Sequence, residues 1–114
     1  MDKQERRQAA ASYKAQVQRG GVYAIRCKQN GKRLLLATSD MAGSENRFRF
    51  AQATGGCVHP KLRADWDAYT GAGFEFETVE ALTQRKEQTD AEFRGEVDAL
   101  LEMLMAQSRP EEMY

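Results

Sequence analysis

Residues 21–38 read GVYAIRCKQNGKRLLLAT, and this stretch decides the fold. The pair Asn30-Gly31 predicts a two-residue type I′ turn, because both central residues of that turn need positive φ and Asn and Gly tolerate it best. Both flanking segments have the composition of β-strands. We therefore predict a β-hairpin in which Ile25 pairs with Leu36.

The period of two along each strand divides the hairpin side chains between two faces. One face is predicted to carry Tyr23, Ile25, Cys27, Leu34 and Leu36. The other is predicted to carry Val22, Ala24, Arg26, Arg33 and Leu35. A two-stranded hairpin is marginally stable in water, so it needs a third strand and helices to cover it. Alternating residues 73–79 supply that strand.

Helical patterns flank these strands. Residues 3–18 predict a polar helix whose narrow apolar stripe suits the domain surface or a partner chain. Ser44 is expected to cap a helix that ends near Thr54. The next helix is expected to start at His59-Pro60, since proline is tolerated at the first helical position.

The last helix has the clearest start. Thr89 and Glu92 form a capping box, and an apolar stripe follows at helical spacing. The stripe contains Phe93, Val97, Leu100, Leu101 and Leu104. Pro110 is expected to end the helix, and residues 111–114 are expected to be a frayed tail.

This order of elements predicts one small α+β domain over residues 20–110, with a three-stranded, mostly antiparallel sheet flanked by helices. Residues 1–19 add the N-terminal helix. A chain of 114 residues suits a single core. The polar start lacks a secretory signal, no run reaches transmembrane length, and there are two cysteines, so we expect a cytoplasmic protein without a membrane partner.

Charge is balanced in total but divided along the chain. Residues 1–63 hold 13 basic and 4 acidic side chains, whereas residues 64–114 hold 4 basic and 13 acidic ones. Net charge therefore predicts no attraction to nucleic acid, yet the division can create a basic face. The alternative is that the acidic half simply neutralises the basic half.

Several segments, in this order, resemble the GIY-YIG endonuclease superfamily. The resemblance rests on GVY at 21–23, NGK at 30–32, NRFRF at 46–50, PKLRADW at 60–66 and GFEFE at 73–77. The last two are similar to the third helix and third strand of the small bacterial members. The resemblance extends from residue 21 to about residue 110 and implies the same α+β fold.

The resemblance also implies a chemistry. The family cleaves DNA phosphodiesters with one divalent metal, Mg²⁺ or Mn²⁺, held by a glutamate, while an arginine stabilises phosphate charge and tyrosines position or activate water. In this sequence Tyr23 matches the first-motif tyrosine and Arg47 matches the arginine, with Arg49 as a competitor. Glu102 matches the metal-binding glutamate, and the alternative alignment places Leu101 there.

The second motif departs from the family pattern. Its tyrosine falls on Leu34 and its glycine falls on Leu36, a large side chain on the face assigned to Tyr23. We therefore expect a crowded phosphate site and an activity that is weakened or lost.

A set of basic residues is expected to contact phosphates, with aromatic residues interleaved in sequence. Besides Arg47, the set is Arg26, Lys28, Lys32, Arg33, Arg49, Lys61 and Arg63. The alternative is an ordinary solvated face with the aromatic residues buried beneath it. Cys57 and His59 do not predict a zinc site, because a structural site needs four ligands and the chain has one other cysteine and no other histidine.

Three function classes follow. The first is a metal-dependent DNA endonuclease. The second is a noncatalytic module that binds nucleic acid. The third is a protein interaction domain, such as a homodimer that uses the N-terminal helix or the surface of Met103 and Met105.

Overall fold

The computed structural model of the chain describes residues 18–114. The helix predicted over residues 3–18 lies, apart from Gln18, outside the described residues. The predicted homodimer contact through that helix therefore also lies outside the described residues.

A three-stranded antiparallel sheet forms the centre of the fold, as predicted. Its strands are β1 (Arg19–Cys27), β2 (Arg33–Thr38) and β3 (Phe74–Thr83), in the order β2-β1-β3. Both neighbours pair with β1 in the antiparallel sense. The third strand is longer than the predicted residues 73–79.

Three α-helices flank the sheet: α1 (Met41–Thr54), α2 (Arg63–Tyr69) and α3 (Asp90–Ala106). A 3-10 turn over Pro60–Leu62 leads into α2, and His59 caps it by accepting a hydrogen bond from the Lys61 backbone N–H. The predicted capping box at the start of α3 is confirmed. The α+β class is therefore the one expected from the sequence.

The register of the β1–β2 hairpin differs from the prediction by two residues. Ile25 pairs with Leu34 rather than Leu36, and Tyr23 pairs with Leu36. A shift of two residues returns each side chain to the same side of the sheet. The predicted division of the hairpin into two faces is therefore confirmed although the pairing was wrong.

The hairpin loop explains this shift. Only Gly31 takes a positive φ there, 76°, and its N–H donates to the carbonyl of Cys27 at 2.8 Å. Asn30 instead uses its side chain: Oδ1 accepts from the N–H of Lys32 at 2.8 Å, and Nδ2 donates to Asp65 Oδ2 at 2.9 Å. These bonds favour a wider loop than the predicted type I′ turn.

Helix α1 begins earlier than predicted, because Asp40 rather than Ser44 is its N-cap. The Asp40 side chain accepts from the N–H of Gly43 at 3.0 Å. Ser44 lies inside the helix, is buried, and donates its hydroxyl to Thr38 Oγ1 at 2.9 Å. This contact fastens the first turn of α1 to the end of β2.

The core has two parts, one on each side of the sheet. One part packs α1 and α2 against the sheet and contains Tyr23, Ile25, Cys27, Leu34, Phe48, Ala51, Leu62, Trp66 and Phe74. The other packs the partly buried Leu100, Leu101 and Leu104 of α3 against Val22, Ala24 and Leu35. The molecule thus has three layers, with the sheet between the α1–α2 layer and α3.

The predicted frayed tail at residues 111–114 is wrong, because Tyr114 is anchored to the hairpin and to α2. Its N–H donates to the carbonyl of Arg33 at 3.0 Å, and its hydroxyl donates to Asp65 Oδ2 at 2.6 Å. Lys32 Nζ lies 5.9 Å from the centre of its ring. Burial and the hydrogen bond to Asp65 raise the pKa of Tyr114 well above its usual value of 10.0.

Candidate nucleic-acid interface

Tyr23 lies in the core between the sheet and the α1–α2 layer. It is 9% exposed, and its ring stacks on Phe76 with centroids 4.8 Å apart. Leu36 is its cross-strand partner on β2, and the buried Leu34 belongs to the same cluster. Leu34 and Leu36, which stand at the tyrosine and glycine positions of the second motif, therefore lie on the same side of the sheet as Tyr23, as predicted.

Arg47 projects from α1 on the same side of the sheet. It is exposed, and its Nη2 donates to Ser44 Oγ at 3.3 Å. Arg49 is the other arginine that could match the family's arginine. Its Nη2 lies 2.5 Å from Oε2 of Glu45, one turn earlier on α1. Arg47 has no such acidic partner within residues 18–114, so its guanidinium is free to meet an anion.

Glu102 does not join Tyr23 and Arg47. It lies exposed on α3, the helix that covers the opposite side of the sheet. Leu101, the alternative at that position, packs against the sheet as part of the core. In the part of the chain that the structure describes, no group of three or more His, Cys, Asp or Glu side chains is placed to hold a metal ion. The structure therefore does not bring Glu102 together with Tyr23 and Arg47.

Two of the predicted phosphate contacts are separated from the others. Arg26 and Arg33 point to the α3 side of the sheet, where Arg26 pairs with Glu75 at 2.5 Å and Arg33 Nε lies 3.5 Å from Glu77. The Arg33 Nε is buried and makes no hydrogen bond, so this second contact is an ion pair without hydrogen-bond geometry. Both arginines are neutralised within the sheet.

The remaining cations share the α1–α2 layer and its edge. The bond from Asn30 to Asp65 holds the hairpin loop, with its lysines, against α2. Arg63 is paired with Asp67 at 3.7 Å, whereas four other cations have no acidic partner within residues 18–114. We call these four the basic surface: Lys28, Lys32, Arg47 and Lys61.

Helix α3 carries the opposite charge. Its acidic side chains are Asp90, Glu92, Glu96, Asp98 and Glu102, and its single cation is Arg94, which pairs with Asp98 at 3.2 Å. Because the sheet lies between α3 and the α1–α2 layer, the acidic helix does not cover the basic surface. The α3 side of the fold is thus acidic along this helix, while the basic surface lies in the α1–α2 layer and its edge, together with Asp65 and Asp67 of α2.

Of the three aromatic residues interleaved with the predicted basic set, Phe48, Phe50 and Trp66, only Phe50 is exposed. Phe48 is buried, while Phe50 is 69% exposed. Residues two positions apart on a helix point about 200° apart, so the spacing already indicated that the two rings face different ways. Phe50 and Arg47 line one hollow of about 330 Å³ beside the loop that follows α1.

Comparison with protein-family models, with curated proteins and with solved structures gives no match for this chain. Between residues 18 and 114, no helix is both long and apolar enough to cross a membrane.

Proposed function

We propose that this protein binds nucleic acid through the basic surface, as a divergent relative of the GIY-YIG endonucleases whose cleavage activity is weakened or lost. The observation that carries the proposal is the basic surface, whose four cations have no acidic partner within residues 18–114 and lie in the α1–α2 layer and its edge, away from the acidic α3. Cations placed in this way attract the phosphate backbone without reading its sequence.

The loss of cleavage is argued from the surroundings of Tyr23. Its ring is stacked on Phe76 and faces Leu36 across the hairpin, so its environment is that of a packed core tyrosine. Glu102 belongs to the other side of the sheet. By the resemblance, hydrolysis would bring a tyrosine oxygen, an arginine and a metal-binding glutamate around one phosphate. Of these, only Arg47 is exposed on the side facing the nucleic acid.

Binding is tested by fluorescence anisotropy with a labelled DNA duplex over a series of salt concentrations. The logarithm of the affinity should fall linearly with the logarithm of the salt concentration, by about 0.9 for each phosphate neutralised. Arg47→Ala should weaken binding and reduce that slope by about one. Arg94→Ala on α3 is the matched control and should change neither the affinity nor the salt slope. A folded protein that binds no DNA, or that responds equally to both substitutions, would rule out this interface.

Cleavage is tested separately on supercoiled and branched DNA, first with Mg²⁺ and then with Mn²⁺, since the resemblance implies a divalent metal. We expect no nicking by the unsubstituted protein. Nicking that disappears in both Arg47→Ala and Glu102→Ala would show that the chemistry survives and that our assignment of lost activity is wrong.

A protein interaction domain is the second candidate. Met103 and Met105 on α3 are 49% and 47% exposed, so two large apolar side chains of this helix are accessible to a partner. Light scattering of the purified protein distinguishes the two candidates. A stable dimer that binds no nucleic acid would favour the interaction domain.

A further inference from the structure

Two hollows adjoin at the loop that follows α1. The first, of about 330 Å³, is lined by Arg47 and Phe50, and the second, of about 380 Å³, is lined by Arg63. Cys57 and Val58 line both of them. We call the two hollows together the loop groove. The loop groove therefore combines an aromatic ring and apolar residues with one arginine in each hollow.

The end of α1 holds this ring in a defined position. Gly55 closes the helix with φ of 83°, and its N–H donates to the carbonyl of Ala51 at 2.9 Å. Thr54 Oγ1 donates to the carbonyl of Phe50 itself at 2.9 Å. The backbone that carries the aromatic wall is thus fixed before any ligand binds, which reduces the entropy lost on binding.

The charged side chains around the loop groove indicate the class of ligand that fits it. Among the described residues, no acidic side chain lines either hollow, and each hollow has one arginine. Arg63 also pairs with Asp67 at 3.7 Å, but this pair is exposed to solvent, so the guanidinium remains accessible to a phosphate. A ligand that matches this arrangement has a flat apolar centre flanked by negative charges. A nucleotide in a strand has this form, with a base between two phosphates.

We propose that the loop groove binds one unpaired base of a single-stranded nucleic acid, with the base stacked on Phe50 and the neighbouring phosphates contacted by Arg47 and Arg63. This inference rests on the proposed function and adds the class of substrate. A single strand is required because the faces of a paired base are already covered by its neighbours, whereas an unpaired base offers a free face to an aromatic side chain.

The test compares a labelled single-stranded oligothymidine with a duplex of the same length, using the full chain and fluorescence anisotropy. Phe50→Ala should weaken single-strand binding about tenfold, as expected for one stacked base, and should leave duplex binding unchanged. Phe50→Trp should retain single-strand binding because tryptophan also stacks. Met103→Ala, at another exposed apolar position, on α3, is the control and should change neither affinity.

The outcomes separate the two proposals. If duplex binding remains sensitive to Arg47→Ala while Phe50→Ala leaves single-strand binding unchanged, the stacking site is wrong and the basic surface remains. If neither single-stranded nor duplex DNA binds to protein with native fluorescence of the buried Trp66, the proposed function fails and the stacking site fails with it.

Discussion

Replacing Gly21 by alanine is expected to destabilise the fold far more than replacing Gly55 by alanine. Both glycines have positive φ, 132° and 83°. They differ in their surroundings, because a Cβ on Gly21 would lie 2.0 Å from the carbonyl oxygen of Glu80, whereas a Cβ on Gly55 would have nothing within 4 Å. The close approach occurs where β1 and β3 change register, beside Val22.

The two costs can be compared from these distances. At Gly55 the substitution carries only the penalty of a left-handed conformation, about 1 kcal/mol. At Gly21 an unfavourable φ contributes about 1–3 kcal/mol. Moving the β3 backbone away from the new methyl group adds about 1–3 kcal/mol, as for other overpacked sites. We therefore expect Gly21→Ala to lower the free energy of unfolding by about 2–6 kcal/mol.

Urea denaturation followed by tryptophan fluorescence measures both variants. The chain has one tryptophan, Trp66, which is 4% exposed and therefore reports the loss of the core. The melting temperature should fall by roughly 4–8 °C for each kcal/mol lost. Equal unfolding midpoints for Gly21→Ala and Gly55→Ala would refute the close contact between β1 and β3.

Three further predictions concern single side chains. Thr89→Ala removes the cap of α3 and should lower the free energy of unfolding in urea by about 1 kcal/mol. An unchanged free energy of unfolding would show that the cap is absent. The hydrogen bond of Tyr114 to Asp65 favours the protonated phenol and raises its pKa in the folded protein above 10.0. Its contribution to the free energy of unfolding should therefore be intact below pH 10.0 and should decline as the pH rises further. Tyr114→Phe should remove that alkaline decline in stability, and an identical pH profile for both proteins would contradict it. Phe48→Ala should cost about 3–5 kcal/mol of stability. Phe50→Ala should change stability by less than about 0.5 kcal/mol, and the reverse order would show that the rings are wrongly assigned.

The sequence was sufficient to assign the faces of the hairpin but not its register. Alternation of apolar and polar residues decides which side of a sheet a residue occupies, and this information survives a shift of two. The register depends on the turn, and there Asn30 contacts Asp65, which lies 35 residues later in the chain. Local turn preferences contain no information about such a contact.

Side-chain contacts between different elements also account for the other differences. Ser44 and Asp40 are both good N-cap residues, and the choice between them depends on the hydroxyl of Thr38, which accepts a hydrogen bond from Ser44. Tyr114 is ordered by Asp65, 49 residues away in sequence. Terminal segments usually fray unless a specific contact holds them, so the sequence alone favoured the wrong prediction.

Strand pairing explains why Arg26 does not join the other predicted phosphate contacts. Arg26 lies opposite Glu75 once β1 pairs with β3, and both side chains point to the same side. Cross-strand pairs of opposite charge are favourable, so Glu75 neutralises a cation that looked free in the sequence. By contrast, helical geometry alone shows that Phe48 and Phe50 cannot both point into the core, because residues two positions apart on a helix point about 200° apart.

The resemblance of residues 21–23 to the first GIY-YIG motif has a structural explanation in this chain. Gly21 lies where no Cβ fits, and Val22 is fully buried in the cluster packed by α3. Tyr23 packs on Phe76 on the other side of the sheet. Because packing uses all three residues, their presence does not by itself indicate a catalytic site. Arg47 is different, since it is exposed and contributes little to the core, so its effect on DNA binding and cleavage is the more direct measure of function.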